Sequence, residues 1–160
     1  CPWATLGKPD NRERNVTTSL ALEAEEMERT NLRLQAKYKE ICENEVRFEA
    51  VNCDDADFVL IAFGSIARVC MSAMEIGRKE GLKIGVLRPI TLYPFPTLKI
   101  QELAKKAKGI LTVELSAGQM VEDVRLAVNG SIPVEFYGRM GGVVPTPEEV
   151  LEQLKKQLVK

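Results

Sequence analysis

The feature that most constrains the fold of this chain is a regular alternation of short apolar runs with longer segments of helical pattern. Apolar runs of the length of a buried strand lie at 58–63, 83–87, 110–115 and 133–137. Segments with a helical pattern follow each of them, at 65–80, 97–108, 118–128 and after residue 146. Strands that alternate with helices this long predict an α/β domain with a mostly parallel sheet and helices on both faces.

The N-terminal part of the chain has a different pattern. Residues 1–18 show no hydrophobic period, which predicts an irregular connector. Beyond them, apolar residues recur every seven positions and predict a helix of about 24 residues, with Ser19 as its N-cap and one narrow stripe formed by Leu20, Met27, Leu34 and Ile41. This helix either packs on its own domain or grips another chain or an upstream domain. We therefore predict a connector and helical arm over 1–45 and an α/β domain over 46–160.

Composition excludes several classes of function. The formal net charge of −1 gives no overall basic field for nucleic acid or anionic lipid. No apolar run approaches the ~18 residues of a membrane-spanning helix. The chain has no histidine, and its four cysteines have no C-x-x-C spacing. We therefore predict no metal site and no catalytic residue in this chain, and scattered thiols of this kind indicate a cytoplasmic protein.

Partners and ligands of a parallel sheet gather at the carboxyl ends of its strands. Gly64 and Ser65 follow the first buried run, where they can form a phosphate cradle or a plain turn with Ser65 as helix cap. A dinucleotide site needs G-x-G-x-x-G and an acidic residue after the second strand, and Arg88 stands at that position. The turn is therefore favoured. Glu114, at another strand end, has no second acid beside it, so an ion pair or a cap is favoured over catalysis.

The same edge of the sheet is predicted to dock neighbouring domains. Arginine binds a carboxylate or phosphate with two hydrogen bonds, and glycine lets a partner backbone come close. The turn at Gly64 and Ser65 is expected to present Ala67 and Arg68. Two alternatives to docking remain for the arginines at this edge, Arg68, Arg88 and Arg139. They can bind a coenzyme A phosphate, or they can donate hydrogen bonds to strand-end carbonyls within the domain. The predicted interface residues are Gly64, Ser65, Arg68, Arg88, Gln119, Met120, Arg139, Gly141 and Gly142.

Motifs along nearly the whole chain resemble the C-terminal half of the alpha chain of 2-oxoacid:ferredoxin oxidoreductases, and within that family the branched-chain (2-ketoisovalerate) enzymes. The motifs that carry the resemblance include GSIAR at 64–68, LRPITLYPFP at 87–96, ELSAGQM at 114–120 and GRMGG at 138–142. The resemblance implies a three-layer domain like the transketolase C-terminal domain. Its five-stranded sheet would have one antiparallel strand, for which the alternating segment 46–51, predicted as an edge strand with one covered face, is the candidate.

The resemblance also implies a larger assembly that oxidatively decarboxylates a 2-oxoacid to acyl-CoA and reduces ferredoxin. Thiamine diphosphate and Mg²⁺ would lie between an upstream pyrimidine-binding domain of the same parent chain and a pyrophosphate-binding subunit. Iron–sulfur clusters would lie in a ferredoxin-like subunit. This piece would bind none of these cofactors and would be inactive alone, with a role in assembly. The alternative is a stand-alone α/β module that binds a nucleotide or coenzyme A.

Overall fold

A computed structural model describes residues 22–159, together with residues 7, 10–13 and 16. The chain divides into one compact unit over Cys1–Tyr38 and another over Lys39–Lys160. The predicted domain boundary after residue 45 stays a prediction. The predicted N-cap Ser19 and the first stripe residue, Leu20, lie outside the described residues.

The helices and strands of residues 22–159 alternate as the sequence predicts. In chain order they are α1 (Ala24–Asn44), β1 (Phe48–Val51), β2 (Phe58–Ile61), α2 (Ile66–Lys79), β3 (Ile84–Pro89), α3 (Thr97–Ala104), β4 (Gly109–Glu114), α4 (Met120–Val128), β5 (Val134–Gly138) and α5 (Pro147–Leu158).

The five strands form one mixed sheet in the order β1-β3-β2-β4-β5. β1 pairs antiparallel with β3, while the β2–β3, β2–β4 and β4–β5 pairs are parallel. This confirms the prediction that the segment 46–51 contains the antiparallel edge strand. β2 and β4 lie at the centre and are buried along their whole length, as expected for strands covered on both faces.

Two hydrophobic clusters cover the two faces of the sheet. One joins the sheet to α2 and α5 through residues such as Leu60, Met74 and Leu154. The other joins it to α3 and α4 through residues such as Ile61 and Ile100. The three layers confirm the predicted α/β/α architecture and place the carboxyl ends of β2 and β4 together at one edge.

β3 is longer than the sequence predicts. The predicted strand ends at Leu87, but Glu49 pairs with Arg88 and Phe48 with Pro89, so β3 continues through both residues. Pro89 lacks an N–H. It is tolerated because it lies opposite Phe48 of the edge strand β1, in a pair that does not exchange backbone hydrogen bonds. The predicted covered face of β1 is wrong, since Phe48 is exposed and β1 has only one half-buried residue.

Two details of the helices also differ from the predictions. The spacing of Leu98, Leu103, Ala104 and Ala107 predicts that Leu98 lies on the apolar side of α3. Leu98 is instead 82% exposed, because the buried side of α3 consists of Ile100, Leu103 and Ala104. In α1 no residue is buried. Met27, Leu34 and Ile41 of the predicted stripe are half-buried, whereas most other residues of α1 are exposed.

The caps of two helices give different outcomes. The sequence predicts Thr146 as the cap of α5 and Pro147 at its first helical position, and the structure confirms both. Thr146 accepts a hydrogen bond from the N–H of Glu149, and the side chain of Glu149 accepts one from the N–H of Thr146, which completes a capping box. Ser65 holds the N-cap position of α2 but makes no side-chain cap. Its φ of −68° and ψ of −32° are already helical, whereas a capping side chain needs an extended residue. Within the described residues, no helix has the length and apolar character needed to cross a lipid bilayer.

Candidate functional site

A crevice opens where the strand order of the sheet changes direction. From β2 the chain passes through α2 to β3 on one side, whereas β4 lies on the other side of β2. Parallel sheets bind ligands or partners at this position, beyond the carboxyl ends of the strands. The crevice has a volume of about 160 Å³, and its walls are formed by Phe63, Gly64, Ser65, Ile66, Leu115, Ser116 and Gln119.

One wall of the crevice is the turn between β2 and α2. Gly64 has a φ of 64°, a left-handed conformation that glycine adopts without strain. This confirms the interpretation of Gly64 as a structural turn. Arg68 is exposed, but Ala67 has 0% exposure and packs in the core. The expectation that the turn presents Ala67 to a neighbouring domain is therefore wrong, because Ala67 lies on the inward side of α2.

The opposite wall is held by Glu114, whose side chain is 1% exposed. Its carboxylate accepts hydrogen bonds from the N–H groups of Gln119 at 3.1 Å, Met120 at 3.1 Å and Val121 at 2.9 Å. It also accepts one from the hydroxyl of Ser116 at 2.9 Å. The N–H groups that begin α4 would otherwise lack partners, and a negative charge there suits the helix dipole. Glu114 is confirmed as a cap, and its lone pairs are already occupied.

Met120 and Gln119 adjoin in sequence but differ in exposure. Met120 is 4% exposed and packs in the cluster between the sheet and α4. The prediction that Met120 faces a partner is wrong, because the first residue of α4 points into the core. Gln119 is exposed and lines the crevice, so the loop before α4 presents a polar side chain at the predicted edge.

The end of β5 packs against the loop that forms this wall. The N–H of Arg139 donates to the carbonyl of Glu114 at 3.1 Å. A Cβ atom at Gly138 would meet the carbonyl oxygen of Ser116 and the ring of Phe136. The loop over 115–119 is thus packed directly against the backbone of β5. Beyond it, Gly141 and Gly142 adopt positive φ values of 68° and 85° in an exposed loop.

The structure does not gather the three predicted rim arginines into one cluster. Arg88 on β3 and Arg139 after β5 are separated by three strand spacings, about 14 Å. Arg88 forms an ion pair with Glu49 at 3.3 Å. Arg139 lies 3.4 Å from the hydroxyl of Tyr137, a contact that raises the pKa of the guanidinium, and 3.6 Å from Glu149.

These three arginines therefore differ in their freedom to bind a partner. Arg68 is exposed and forms no ion pair among the described residues. The other two guanidinium groups each lie within 4 Å of a carboxylate, that of Glu49 for Arg88 and that of Glu149 for Arg139. Arg88 and Arg139 can bind an acidic group only by exchanging an exposed ion pair, which is worth little in water.

Two of the three described cysteines are buried in the core. Cys53 and Cys70 are buried free thiols, and Cys42 is exposed. Burial raises the pKa of the Cys70 thiol to about 12 and raises that of Cys53 as well. Since the thiolate is the reactive form, these two side chains act as small apolar residues of the core.

The crevice does not fit thiamine diphosphate or its Mg²⁺. Its volume of about 160 Å³ lies below the ~300 Å³ at which small-molecule sites begin. Its one buried carboxylate, Glu114, already accepts four hydrogen bonds. Over the described ranges, no three His, Cys, Asp or Glu residues are grouped so that they can hold a metal ion.

A larger apolar groove lies beside the β1 edge, and it was not predicted. Its volume is about 860 Å³, and it is lined by the end of α1, the start of β1, the loop at 93–96 and the first turns of α3. The side chains that line it include Cys42, Val46, Phe48, Tyr93, Phe95 and Leu98. These segments are far apart in sequence, so no local pattern predicts that they meet. The two prolines of Pro94-Phe95-Pro96 predict only that this stretch continues neither a helix nor a strand.

Residues 56–150 match the family model described as pyruvate:ferredoxin oxidoreductase core domain II, so the chain belongs to that family. The predicted resemblance to 2-oxoacid:ferredoxin oxidoreductases is confirmed. The chain is 46% identical over 156 residues to ketoisovalerate oxidoreductase subunit VorB of Methanothermobacter thermautotrophicus, which covers 96% of this chain and 43% of that protein. It is 31% identical over 119 residues to pyruvate synthase subunit PorA of Pyrococcus furiosus, covering 68% of this chain and 30% of that protein. The chain thus spans less than half the length of these relatives.

Solved structures show the same fold. The chain superposes on a 2-oxoglutarate:ferredoxin oxidoreductase from Magnetococcus marinus with a TM-score of 0.74 and 24% identity, over 85% of this chain and 24% of that chain. It superposes on a split gene transketolase with a TM-score of 0.58 and 19% identity, over 69% of this chain and 40% of that chain. These likenesses confirm the predicted transketolase-like α/β fold.

Proposed function

We propose that this chain is a structural and assembly domain of a thiamine-diphosphate-dependent 2-oxoacid:ferredoxin oxidoreductase. Its substrate is 2-ketoisovalerate, which the whole complex decarboxylates oxidatively to an acyl-CoA while it reduces ferredoxin. The observation that carries the proposal is the 46% identity, over 96% of the chain, to a ketoisovalerate oxidoreductase subunit. A cytoplasmic location is part of the same proposal.

The geometry of the crevice supports a structural role rather than a catalytic one. Its buried acid caps a helix, and its polar surface groups are those of Ser65, Ser116 and Gln119. In this proposal the cofactors belong to other parts of the complex. We assign thiamine diphosphate and Mg²⁺ to the upstream pyrimidine-binding domain and the pyrophosphate-binding subunit. The iron–sulfur clusters belong to the ferredoxin-like subunit, and coenzyme A and ferredoxin bind the complex.

The rim of the crevice is the proposed docking surface for those domains. Arg68 is exposed on α2 beyond one wall, and Gln119 is exposed on the opposite wall. Either can reach a partner without breaking an ion pair within the described chain. Gly64, Ser65, Gly141 and Gly142 are also exposed, so a partner backbone can approach them. Arg88 and Arg139 extend the surface along the row of strand ends.

The substrate is tested on the purified complex that contains this chain. Coenzyme A-dependent reduction of a viologen dye is measured with 2-ketoisovalerate, pyruvate and 2-oxoglutarate. We expect kcat/KM for 2-ketoisovalerate to exceed that for pyruvate by about tenfold or more, since each methylene in an apolar pocket changes the ratio by this order. Absence of oxidation of any 2-oxoacid would overturn the proposal.

The docking role is tested with Arg68→Ala and Gln119→Ala in the same complex. Both side chains are exposed, so the melting temperature of the chain alone is expected to stay constant while assembly or turnover falls. Calorimetry of the chain alone with coenzyme A or a nucleotide separates the alternative function. A low-micromolar Kd without any partner would favour a stand-alone binding module.

A further inference from the structure

Among the strands of the described residues, β1 leaves one edge of the sheet open. β1 has β3 as its neighbour on one side and lies last in the strand order. Phe48, Glu49 and Ala50 are exposed, and Val51 is half-buried. The opposite edge strand, β5, is half-buried along its whole length. An open strand edge offers N–H and C=O groups to which another strand can pair.

The pairing of β1 with β3 determines which backbone groups face outward. The carbonyl of Arg47 accepts a hydrogen bond from the N–H of Ile90 at 2.9 Å, and Phe48 lies opposite Pro89, which has no N–H. Hydrogen-bonded and non-bonded pairs alternate along an antiparallel ladder. Phe48 and Ala50 therefore direct their N–H and C=O groups away from β3, toward the open edge.

The side chains along this edge alternate in character. Val46, Phe48 and Ala50 occupy one face, and the first two lie in the apolar groove of about 860 Å³. Arg47 and Glu49 occupy the other face and carry opposite charges. A strand with this pattern is complementary to a second copy of itself, because an antiparallel partner reverses the order of the two charges.

We propose that β1 is the interface of a two-fold symmetric dimer of this chain, in which the β1 strands of two copies pair antiparallel around Phe48. In this register Phe48 lies opposite Phe48 of the second copy, and Val46 lies opposite Ala50. Arg47 lies opposite Glu49, so the interface contains two ion pairs of the same kind. A closed two-fold interface uses one patch on both copies, as this arrangement does.

Two neighbouring registers, centred on Glu49 and on Ala50, are excluded by charge and by backbone conformation, respectively. A two-fold axis at Glu49 would place two carboxylates opposite each other, which destabilises a strand pair. An axis at Ala50 would place Phe48 opposite Asn52, whose φ of 53° takes it out of the strand. Arg47 and Glu49 already pair with Glu45 at 2.9 Å and Arg88 at 3.3 Å. Both pairs are exposed and exchange at little cost.

Charge reversal with mixing tests the dimer in the full chain. Arg47→Glu puts two acidic residues opposite each other in a homodimer, and Glu49→Arg puts two basic residues opposite each other. We expect each variant alone to dimerise at least tenfold more weakly than the unmodified chain, as sedimentation velocity measures it. An equimolar mixture restores the dimer, because both ion pairs re-form between unlike chains.

The matched control is the exposed pair Glu122 and Arg125 on α4, which lie 2.9 Å apart. Glu122→Arg and Arg125→Glu are expected to leave dimerisation unchanged, singly or mixed. Recovery in the mixture of β1 variants does not depend on any 2-oxoacid activity, so it tests this interface separately from the proposed function. A mixture that dimerises no better than its components would overturn the proposal.

Cysteine cross-linking tests the register, in a background with Cys1→Ser and Cys42→Ser. Cα atoms of a hydrogen-bonded antiparallel pair are about 5.5 Å apart, within reach of a disulfide. Phe48→Cys is therefore expected to form a disulfide-linked dimer on mild oxidation. The two Ala50 Cα atoms would be about 14 Å apart, so Ala50→Cys should link at least tenfold more slowly. Equal rates for the two variants, or no link in either, would overturn the register.

Discussion

The crevice between β2 and β4 and the open edge at β1 belong to the same sheet. They differ in whether their polar groups are hydrogen-bonded, and their apolar groups buried, within the chain itself. At the crevice, the buried carboxylate of Glu114 accepts four hydrogen bonds from its own chain, and β5 packs against the same loop. At the β1 edge, Phe48 is 38% exposed beside an apolar groove. The crevice is therefore stabilised by interactions within the chain, whereas the β1 edge gains stability from a second molecule.

This difference predicts that substitutions at the two places act on different quantities. At the crevice they should change the free energy of unfolding of the chain itself. At the β1 edge they should change association and leave folding nearly intact. Four substitutions test the contrast, from the largest expected loss of stability to the smallest.

Glu114→Leu should have the largest effect. It leaves three backbone N–H groups at the start of α4 without an acceptor, and each buried unpaired group costs about 1–3 kcal/mol. We expect the free energy of unfolding to fall by about 3–5 kcal/mol in urea denaturation. Glu122→Leu, at an exposed carboxylate of the same helix, is the control and should change it by under about 0.5 kcal/mol. Equal losses for the two variants would contradict the role of Glu114.

Gly138→Ala should have the next largest effect. The added Cβ would meet the backbone of Ser116, which cannot move without displacing the crevice loop. Overpacking of this kind costs about 1–3 kcal/mol. Gly141→Ala is a matched comparison, because its φ is 68° and no atom lies within 4 Å of the added Cβ. The expected loss for Gly141→Ala is about 1 kcal/mol, from backbone strain alone. A smaller loss at Gly138 than at Gly141 would show that the loop is not held by β5.

Phe48→Ala should reduce the stability of the monomer only slightly. The ring is already 38% exposed, so about 1 kcal/mol of burial is lost. Thermal unfolding at low protein concentration, where association is absent, measures this value. At high concentration the unmodified chain should gain stability and the variant should not. A loss above about 3 kcal/mol at low concentration would place Phe48 in the core of the monomer.

Leu98→Ala should have the smallest effect on the chain alone. Leu98 is 82% exposed at the margin of the groove, and surface changes of this kind stay within about 0.5 kcal/mol. Ile100 lies two residues further along α3 and is fully buried. Ile100→Ala should cost about 2–5 kcal/mol and serves as the contrasting variant. Similar losses at the two positions would mean that α3 has a different buried side.

The central strands could be predicted because burial on both faces leaves a continuous apolar run. β2 is such a run, and β4 is nearly so, since its Thr112 is buried without a hydrogen-bond partner for its hydroxyl. The end of β3 could not be predicted in this way. Pro89 usually indicates the end of a strand, and its place opposite an edge residue is set by pairing with β1.

The walls of the crevice were predictable in part. The lack of a second acid beside Glu114 favoured an ion pair or a cap over catalysis, and the structure shows the cap. The exposure of Met120 could not be predicted, because the direction of the first residue of a helix depends on how the whole helix is rotated against the sheet. The groove beside β1 is lined by residues between Cys42 and Glu102. A local sequence pattern cannot predict that such distant segments lie side by side.

The strand order also has a consequence for the sequence of events during folding. The unit β2–α2–β3 is complete within residues 58–89 and brings two parallel strands together through one helix. β1 emerges earlier in synthesis but cannot pair until β3 has been made, since β3 is its neighbour in the sheet. Contacts between distant segments form late because closing the intervening loop costs entropy. A nascent chain should therefore assemble its sheet from the centre outward, and the first strand to be synthesised should join only after β3.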